Sequence, residues 1–118
     1  MFKLPLTDTS FELRLSEVAT TAIVAAIGEI DMATAPEVAE AIGSLHAGVR
    51  RLVIDLSDVT FLDSSALNML VHCKRDLARR EVAFRIVSPT DKAVGRVLEI
   101  TRLTGPLNVV ESLDDAIA

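Results

Sequence analysis

The 118-residue sequence lacks several residue types that particular functions require. It has no tryptophan or tyrosine and only four phenylalanines, so the aromatic platform expected of a single-strand nucleic-acid binder is missing. Cysteine occurs once, at Cys73, which excludes an internal disulfide and a cysteine cluster for zinc and fits a cytoplasmic protein. No apolar run approaches the ~20 residues of a membrane helix, and the N-terminal residues do not resemble a signal peptide, so we expect no membrane insertion.

Basic residues and glycine are also scarce. The formal net charge of −5 argues against direct nucleic-acid binding, which needs clustered Lys and Arg. The chain has five glycines and no glycine-rich motif that would hold nucleotide phosphates. Its two histidines, His46 and His72, are accompanied by neither a nucleophile elbow nor a metal-ligand spacing. These absences predict a binding protein that is not an enzyme and that needs no metal or cofactor.

Strand and helix patterns alternate along the chain. Polar residues alternate with Phe11, Leu13 and Leu15, which predicts a strand with one solvated face. Further strands are predicted at 20–27, 52–56, 82–87 and 107–110, and helices at about 33–45 and 64–79, from 88 onwards, and at 112–117. The pattern predicts one α/β domain over residues 1–118, with 1–10 as a partly ordered lead-in. Its sheet should be five-stranded and mostly parallel, with an opening antiparallel hairpin and about four helices.

Apolar positions predict which face of each helix is buried. The predicted buried residues are Val38, Ala41, Ile42 and Leu45 in the first helix, Ala66, Leu70, Cys73 and Leu77 in the second, and Val94, Val97, Leu98 and Ile100 in the third.

The most informative stretch runs from Leu52 to Leu70. An apolar strand is followed by a polar segment, 57–60, which we interpret as a loop, and then by Asp63, Ser64 and Ser65 directly before a helical pattern. Asp63 or Ser64 is a candidate N-cap. The unpaired N–H groups and the dipole of a helix start also make a phosphate tolerable there. Capping alone explains the same residues, and spacing does not decide between the two interpretations.

Residues 60–67, Thr-Phe-Leu-Asp-Ser-Ser-Ala-Leu, resemble the signature of the STAS domain, specifically of the anti-sigma factor antagonists, in which the pattern is hydrophobic-Asp-Ser-Ser-Gly-Leu. Matches at 28–36, 88–89 and 103–105 extend the resemblance over nearly the whole chain. It implies the STAS fold and a protein whose unphosphorylated form binds an anti-sigma factor serine kinase and frees the sigma factor. Ser65 is the implied phospho-acceptor, and its phosphorylation would switch the protein off. The alternative is a STAS module of a stress-signalling complex or of a transport system.

Partner contacts are predicted around Ser65. Asp31 should lie near the start of the Ser65 helix because loops that follow neighbouring parallel strands emerge at one edge, although capping by Asp31 or Thr34 is an equal explanation. The residues predicted to face the kinase are Asp31, Asp63, Ser64, Ala66, Asn68 and Met69. Ala66 replaces the usual glycine, which bears on how closely a kinase backbone approaches Ser65. A serine phosphatase is left open as a further partner.

Overall fold

The computed structural model describes residues 11–118, which form one five-stranded sheet and four helices. The strands are β1 (Glu12–Val18), β2 (Thr21–Ile30), β3 (Arg51–Leu62), β4 (Ala83–Val87) and β5 (Val109–Val110). The helices are α1 (Ala35–Gly43), α2 (Ser64–Arg79), α3 (Ala93–Ile100) and α4 (Leu113–Ile117). The strands lie side by side in chain order, with β1 antiparallel to β2 and all other pairs parallel. The predicted fold class is therefore confirmed, and the predicted lead-in lies outside the described residues.

The middle strand, β3, is covered on both faces. Leu52, Ile54 and Leu56 belong to the main core, together with buried residues of α1, α2 and α3. Val53 points to the opposite face, where it packs in a smaller cluster with Ala116 of α4. Burial on both faces is the physical reason why the apolar run at the start of β3 is continuous rather than alternating.

The predicted helix faces are largely confirmed. Ala66, Leu70, Cys73 and Leu77 are the buried residues of α2, whereas Val38 and Ile42 are buried in α1 and Val94 and Leu98 in α3. The predicted positions Ala41, Leu45 and Val97 are only partly buried. Ile100 is an exception, because 79% of it is exposed where α3 ends.

Two strands are longer than the sequence predicted. Residues 28–30 continue β2, and residues 57–62 continue β3, so the interpretation of 57–60 as a loop was wrong. The two extensions pair with each other across register shifts, with Gly28 opposite Val59 and Ile30 opposite Leu62. Pairing satisfies the backbone groups of both segments, and Val59 and Leu62 join the main core while Asp58 and Thr60 remain exposed.

Helix α3 begins later than predicted, at Ala93 rather than at Ser88 and Pro89. The N–H of Ser88 donates to the carbonyl of Val110, so Ser88 extends the sheet instead of capping a helix. A Cβ atom at Gly95 would lie 2.1 Å from the Pro89 carbonyl oxygen, which shows that the chain at Pro89 packs directly on the first turn of α3. Ser88 and Pro89 therefore pack against the first turn of α3 and are not part of the helix.

Helix α1 also starts later, at Ala35 rather than Ala33, and ends at Gly43 rather than Leu45. A tight turn over residues 31–34 precedes it, in which the Asp31 carbonyl accepts hydrogen bonds from the N–H groups of Thr34 and Ala35. This turn connects the end of β2 directly to the start of α1.

Candidate functional site

The carboxyl ends of β2 and β3 meet at one edge of the sheet. Ile30 and Leu62 are register partners, and the N–H of Asp63 donates to the Ile30 carbonyl at 3.3 Å. Asp31 and Asp63 therefore leave the sheet side by side. This confirms the topological argument that placed the two following loops at the same edge, here called the β2–β3 edge.

Asp63 is the N-cap of α2. Its backbone is extended (φ −106°, ψ −174°), and its Oδ1 accepts a hydrogen bond of 3.0 Å from the N–H of Ala66. Its carbonyl accepts the first main-chain hydrogen bond of the helix, from the N–H of Leu67 at 3.1 Å. Ser64 and Ser65 thus occupy the first two helical positions, where N–H groups have no intrahelical acceptor.

The two serines differ in exposure, because Ser64 is exposed whereas Ser65 is half-buried. Successive helical residues differ by about 100°, so Ser65 shares its face of α2 with Asn68, which is exposed and lies three residues on. Met69 is half-buried and packs partly against the core. Ser65 therefore lies at the flank of α2, between the exposed Asn68 and the partly buried Met69.

Ala66 does not belong to this surface. It is 0% exposed and packs in the main core, so its side chain is unavailable to a partner in this conformation. The expectation that Ala66 faces the kinase is corrected accordingly. Since its methyl group points into the domain, alanine in place of glycine puts no atom between Ser65 and an approaching partner.

Asp31 caps the turn into α1 and also lies at the β2–β3 edge. Its Oδ1 accepts hydrogen bonds from the N–H groups of Thr34 (3.1 Å) and Ala33 (2.9 Å). These backbone hydrogen bonds, with that from Thr34 contributing most, lower the pKa of Asp31 below its ordinary value of 3.8. Thr34 completes the turn, because its hydroxyl accepts from the Asp31 N–H and donates to the Glu29 carbonyl. Asp31 is consequently ionised at neutral pH and held in a fixed position.

Two apolar side chains at this edge were missed by the sequence reasoning. Met32, directly after Asp31, is 76% exposed, and Phe61, which pairs with Glu29 across the strands, is 47% exposed. Exposed large apolar residues with polar residues around them mark candidate protein-contact surfaces. The sequence contained a signal for each of these exposed residues. Met32 is an apolar residue inside the turn after Asp31, and Phe61 is an aromatic residue directly before Leu62-Asp63-Ser64.

In the described part of the chain, neither histidine side chain hydrogen-bonds to Ser64 or Ser65. His72 lies seven residues beyond Ser65, about 10 Å along the helix axis, and its Nδ1 contacts the Asn68 carbonyl. The ring of His46 contacts Glu17 through Nε2 and accepts the Gly48 N–H at Nδ1. Within residues 11–118, no three His, Cys, Asp or Glu side chains are grouped so as to hold a metal ion.

None of the helices in the described part of the chain combines the length and the apolar character needed to cross a membrane.

The comparisons with known proteins agree on the family and on the fold. The family model of the STAS domain matches residues 12–116. The anti-sigma-B factor antagonist of Staphylococcus aureus strain NCTC 8325 is 30% identical over 88 residues, 74% of this chain and 81% of that protein. The crystal structure of an anti-sigma factor antagonist from Mycobacterium paratuberculosis is 33% identical, with a TM-score of 0.82 over 94% of both chains. The phosphorylated form of the Bacillus cell fate determinant SpoIIAA shares the fold, with 18% identity and a TM-score of 0.66 over 90% of this chain and 96% of that one.

Proposed function

The chain belongs to the STAS domain family, and from this premise we propose that it is an anti-sigma factor antagonist. Its unphosphorylated form binds an anti-sigma factor serine kinase and so frees the sigma factor that the kinase holds. Phosphorylation of Ser65 by that kinase weakens the complex and ends the release. The protein itself is a binding partner and has no catalytic activity.

The position of Ser65 is the observation that carries the proposal. It lies at the second position of α2, two residues after the N-cap Asp63 and at the edge where Asp31 also leaves the sheet, in a chain whose relatives of 30% and 33% identity are named antagonists of anti-sigma factors. A protein of the same fold has been determined in a phosphorylated form. The free N–H groups at a helix start and the helix dipole favour an added anion, so the free domain tolerates a phosphate at Ser65.

The same phosphate disfavours the complex. Phosphorylation adds about −1.5 to −2 charge at neutral pH, next to the carboxylates of Asp31 and Asp63. Two unit charges about 6 Å apart repel by ~3 kcal/mol at an effective dielectric constant of ~20 and by less than ~1 kcal/mol in bulk water. A bound partner excludes water and so strengthens this repulsion, and together with phosphate desolvation this lowers the affinity by about one to a few factors of ten. No rearrangement of the fold is needed.

The proposed contact surface is centred on Ser65. From the residues predicted by the sequence it takes Asp31, Asp63, Ser64, Asn68 and Met69, and from the structure it adds Met32 and Phe61. The apolar side chains of Met32 and Phe61 fit a protein partner with an apolar pocket.

The test uses the purified cognate anti-sigma kinase. Incubation with ATP followed by mass spectrometry should place the phosphate on Ser65, and the Ser64→Ala variant, the matched control one residue away, should still be phosphorylated. Modification of Ser64 alone, or no modification, would sink the assignment of the acceptor.

Affinity measurements then test the switch. We expect tight kinase binding by the wild type and by Ser65→Ala, and weaker binding by Ser65→Glu and by the phosphorylated protein, which should be the weakest because phosphate carries more charge than a carboxylate. Equal affinity of the phosphorylated and unphosphorylated forms would refute the switch even with Ser65 as acceptor. Failure of the kinase to bind any form would instead favour a STAS module of another assembly.

A further inference from the structure

A groove lies between α2 and the loop that precedes β5, away from the β2–β3 edge. It has a volume of about 290 Å³ and is lined by Val71, Lys74, Arg75, Ala78, Pro106 and Leu107. Its apolar walls come from Val71 and Ala78 on the helix and from Pro106 and Leu107 on the loop. Val71 lies six residues beyond Ser65, about 9 Å along the helix axis, so this groove is separate from the proposed phosphorylation site.

Both walls of the groove are held in place. In the loop, Leu107 donates its N–H to the Leu103 carbonyl at 2.9 Å, and Val109 donates to the Thr104 carbonyl at 2.8 Å. The Asn108 side chain donates to the Phe84 carbonyl on β4, which fixes the loop to the sheet. The Lys74 ammonium group donates to the Pro106 carbonyl and links the helix wall to the loop wall. The groove is therefore preformed, and a ligand need not order it.

The charge of the groove is opposite to that of the whole chain. Lys74 and Arg75 lie among its apolar walls, whereas the net charge of the protein is −5. Arg75 is exposed and forms no ion pair with any residue in 11–118. The two cations attract a ligand that carries carboxylates and repel a basic ligand, and the apolar walls favour a ligand that also has apolar side chains.

We propose that this groove binds an acidic amphipathic helical segment of a protein partner. Apolar side chains of the segment enter between α2 and the loop at Pro106, and its carboxylates pair with Lys74 and Arg75. The α2 wall from Val71 to Ala78 is about 10 Å long, which is close to two helical turns and matches anchors at i, i+3 or i+4, and i+7 of a bound helix. An open groove of this size, at the low end of the ~300–1,000 Å³ of small-molecule pockets, favours a few side chains over an enclosed ligand.

The experiment uses the full chain, labelled with ¹⁵N, and a synthetic peptide of about 14 residues, the length at which an isolated helix begins to hold. The peptide carries leucine at i, i+3, i+4 and i+7 and mainly glutamate elsewhere. Titration followed by NMR should shift the amide signals of Val71, Lys74, Arg75, Ala78 and Leu107. Two control peptides keep the length, one with lysine in place of glutamate and one with serine in place of leucine, and neither should bind at this site.

Matched protein variants complete the test. Arg75→Glu, which leaves the Lys74 link between the walls in place, should weaken peptide binding about tenfold, whereas Arg96→Glu, which changes the net charge equally at an exposed position elsewhere, should bind like the wild type. Ala78→Tyr, at an exposed helix position, should fill the groove and abolish binding. Shifts scattered over the surface, equal binding of the lysine peptide, or equal loss in both charge-reversed proteins would overturn the proposal. Kinase binding through Ser65 is a separate measurement, so failure here leaves the proposed function standing.

Discussion

Asp31 combines a structural and an electrostatic role, and single substitutions separate the two. Its Oδ1 caps the turn into α1 by accepting two backbone N–H groups, while its charge lies beside Asp63 at the β2–β3 edge. The sequence allowed either capping or partner contact, and the structure shows that the capping contacts are made. Removing the side chain therefore perturbs both roles at once.

Asp31→Asn keeps an oxygen that accepts the N–H groups of Ala33 and Thr34 but removes the charge. We expect Asp31→Ala to lower the midpoint of thermal unfolding, because the turn loses its cap, and Asp31→Asn to lower it less. If the charge contacts the kinase, Asp31→Asn should weaken binding severalfold. Retention of full kinase affinity by both variants would leave Asp31 with the capping role alone.

The depressed pKa of Asp31 also gives a pH dependence with a definite sign. Because its folded-state pKa lies below the ordinary 3.8, the stability that it contributes is complete above that value and is lost as the pH falls through the folded pKa. The difference in stability between wild type and Asp31→Asn should thus shrink below about pH 4, as measured by urea unfolding.

Met32 and Phe61 are exposed apolar side chains, and the chain contains matched controls for them. Truncation of Met32 or Phe61 to alanine should weaken kinase binding about tenfold or more if they are interface anchors. Ile100→Ala removes a side chain of similar size that is 79% exposed at the end of α3, and it should leave the affinity unchanged. Calorimetric titration of the kinase with the three variants measures this. An equal effect at Ile100 would show that the losses do not come from a local contact.

Among the elements, α2 carries most of the proposed chemistry, and its two ends are built differently. The N-terminus is closed by the Asp63 side chain, whereas the C-terminus is closed by backbone hydrogen bonds, with the N–H of Val82 donating to the Leu77 carbonyl at 2.9 Å and that of Glu81 to the Ala78 carbonyl at 3.1 Å. This C-terminal motif requires a left-handed residue, and Glu81 supplies it with a φ of 59°. Glycine is the residue that adopts this conformation without steric cost.

Glu81→Gly should therefore stabilise the fold by ~0.5–1 kcal/mol, since relief of the left-handed strain exceeds the entropy that glycine gains in the unfolded chain. The urea midpoint measures the effect. Glu81→Ala is the control, because it removes the same charge but keeps the Cβ atom, and it should give no gain. Equal stabilisation by both variants would assign the effect to the charge instead.

At the scale of the whole molecule, the main core links α1, α2 and α3 to one face of the sheet, and Cys73 lies within it. The cysteine is 8% exposed, and burial, with a smaller effect of Asp76, raises its thiol pKa to about 11. Only the thiolate reacts with thiol reagents, and a pKa of about 11 leaves about one thiolate in a thousand at pH 8.

Alkylation of Cys73 should consequently be slow in the folded protein. At pH 8 we expect the native protein to react more than about a hundredfold more slowly than the chain unfolded in guanidinium, in which the thiol has an ordinary pKa. Mass spectrometry over a time course measures both rates. Equal rates would contradict the burial of the Cys73 thiol in the native core.

The sequence by itself determined the features that depend on local patterns. Helical spacing identified the buried row of α2, the polar pair Asp63-Ser64 narrowed its N-cap to two candidates, of which Asp63 is the cap, and the alternation of strands and helices identified the parallel sheet. These predictions hold because periodicity and capping chemistry act within one or two turns of chain.

Only the tertiary structure decided the length of β3, the start of α3, and the surfaces at the β2–β3 edge and along α2. Residues 57–62 become strand because residues 27–30 supply their hydrogen-bond partners from a distant part of the chain. Ser88 and Pro89 do not start α3, because the Ser88 N–H is already bonded to β5. Met32 and Phe61 are exposed, and Val71 faces Leu107 across a groove, because exposure depends on which other elements pack nearby rather than on the residue itself.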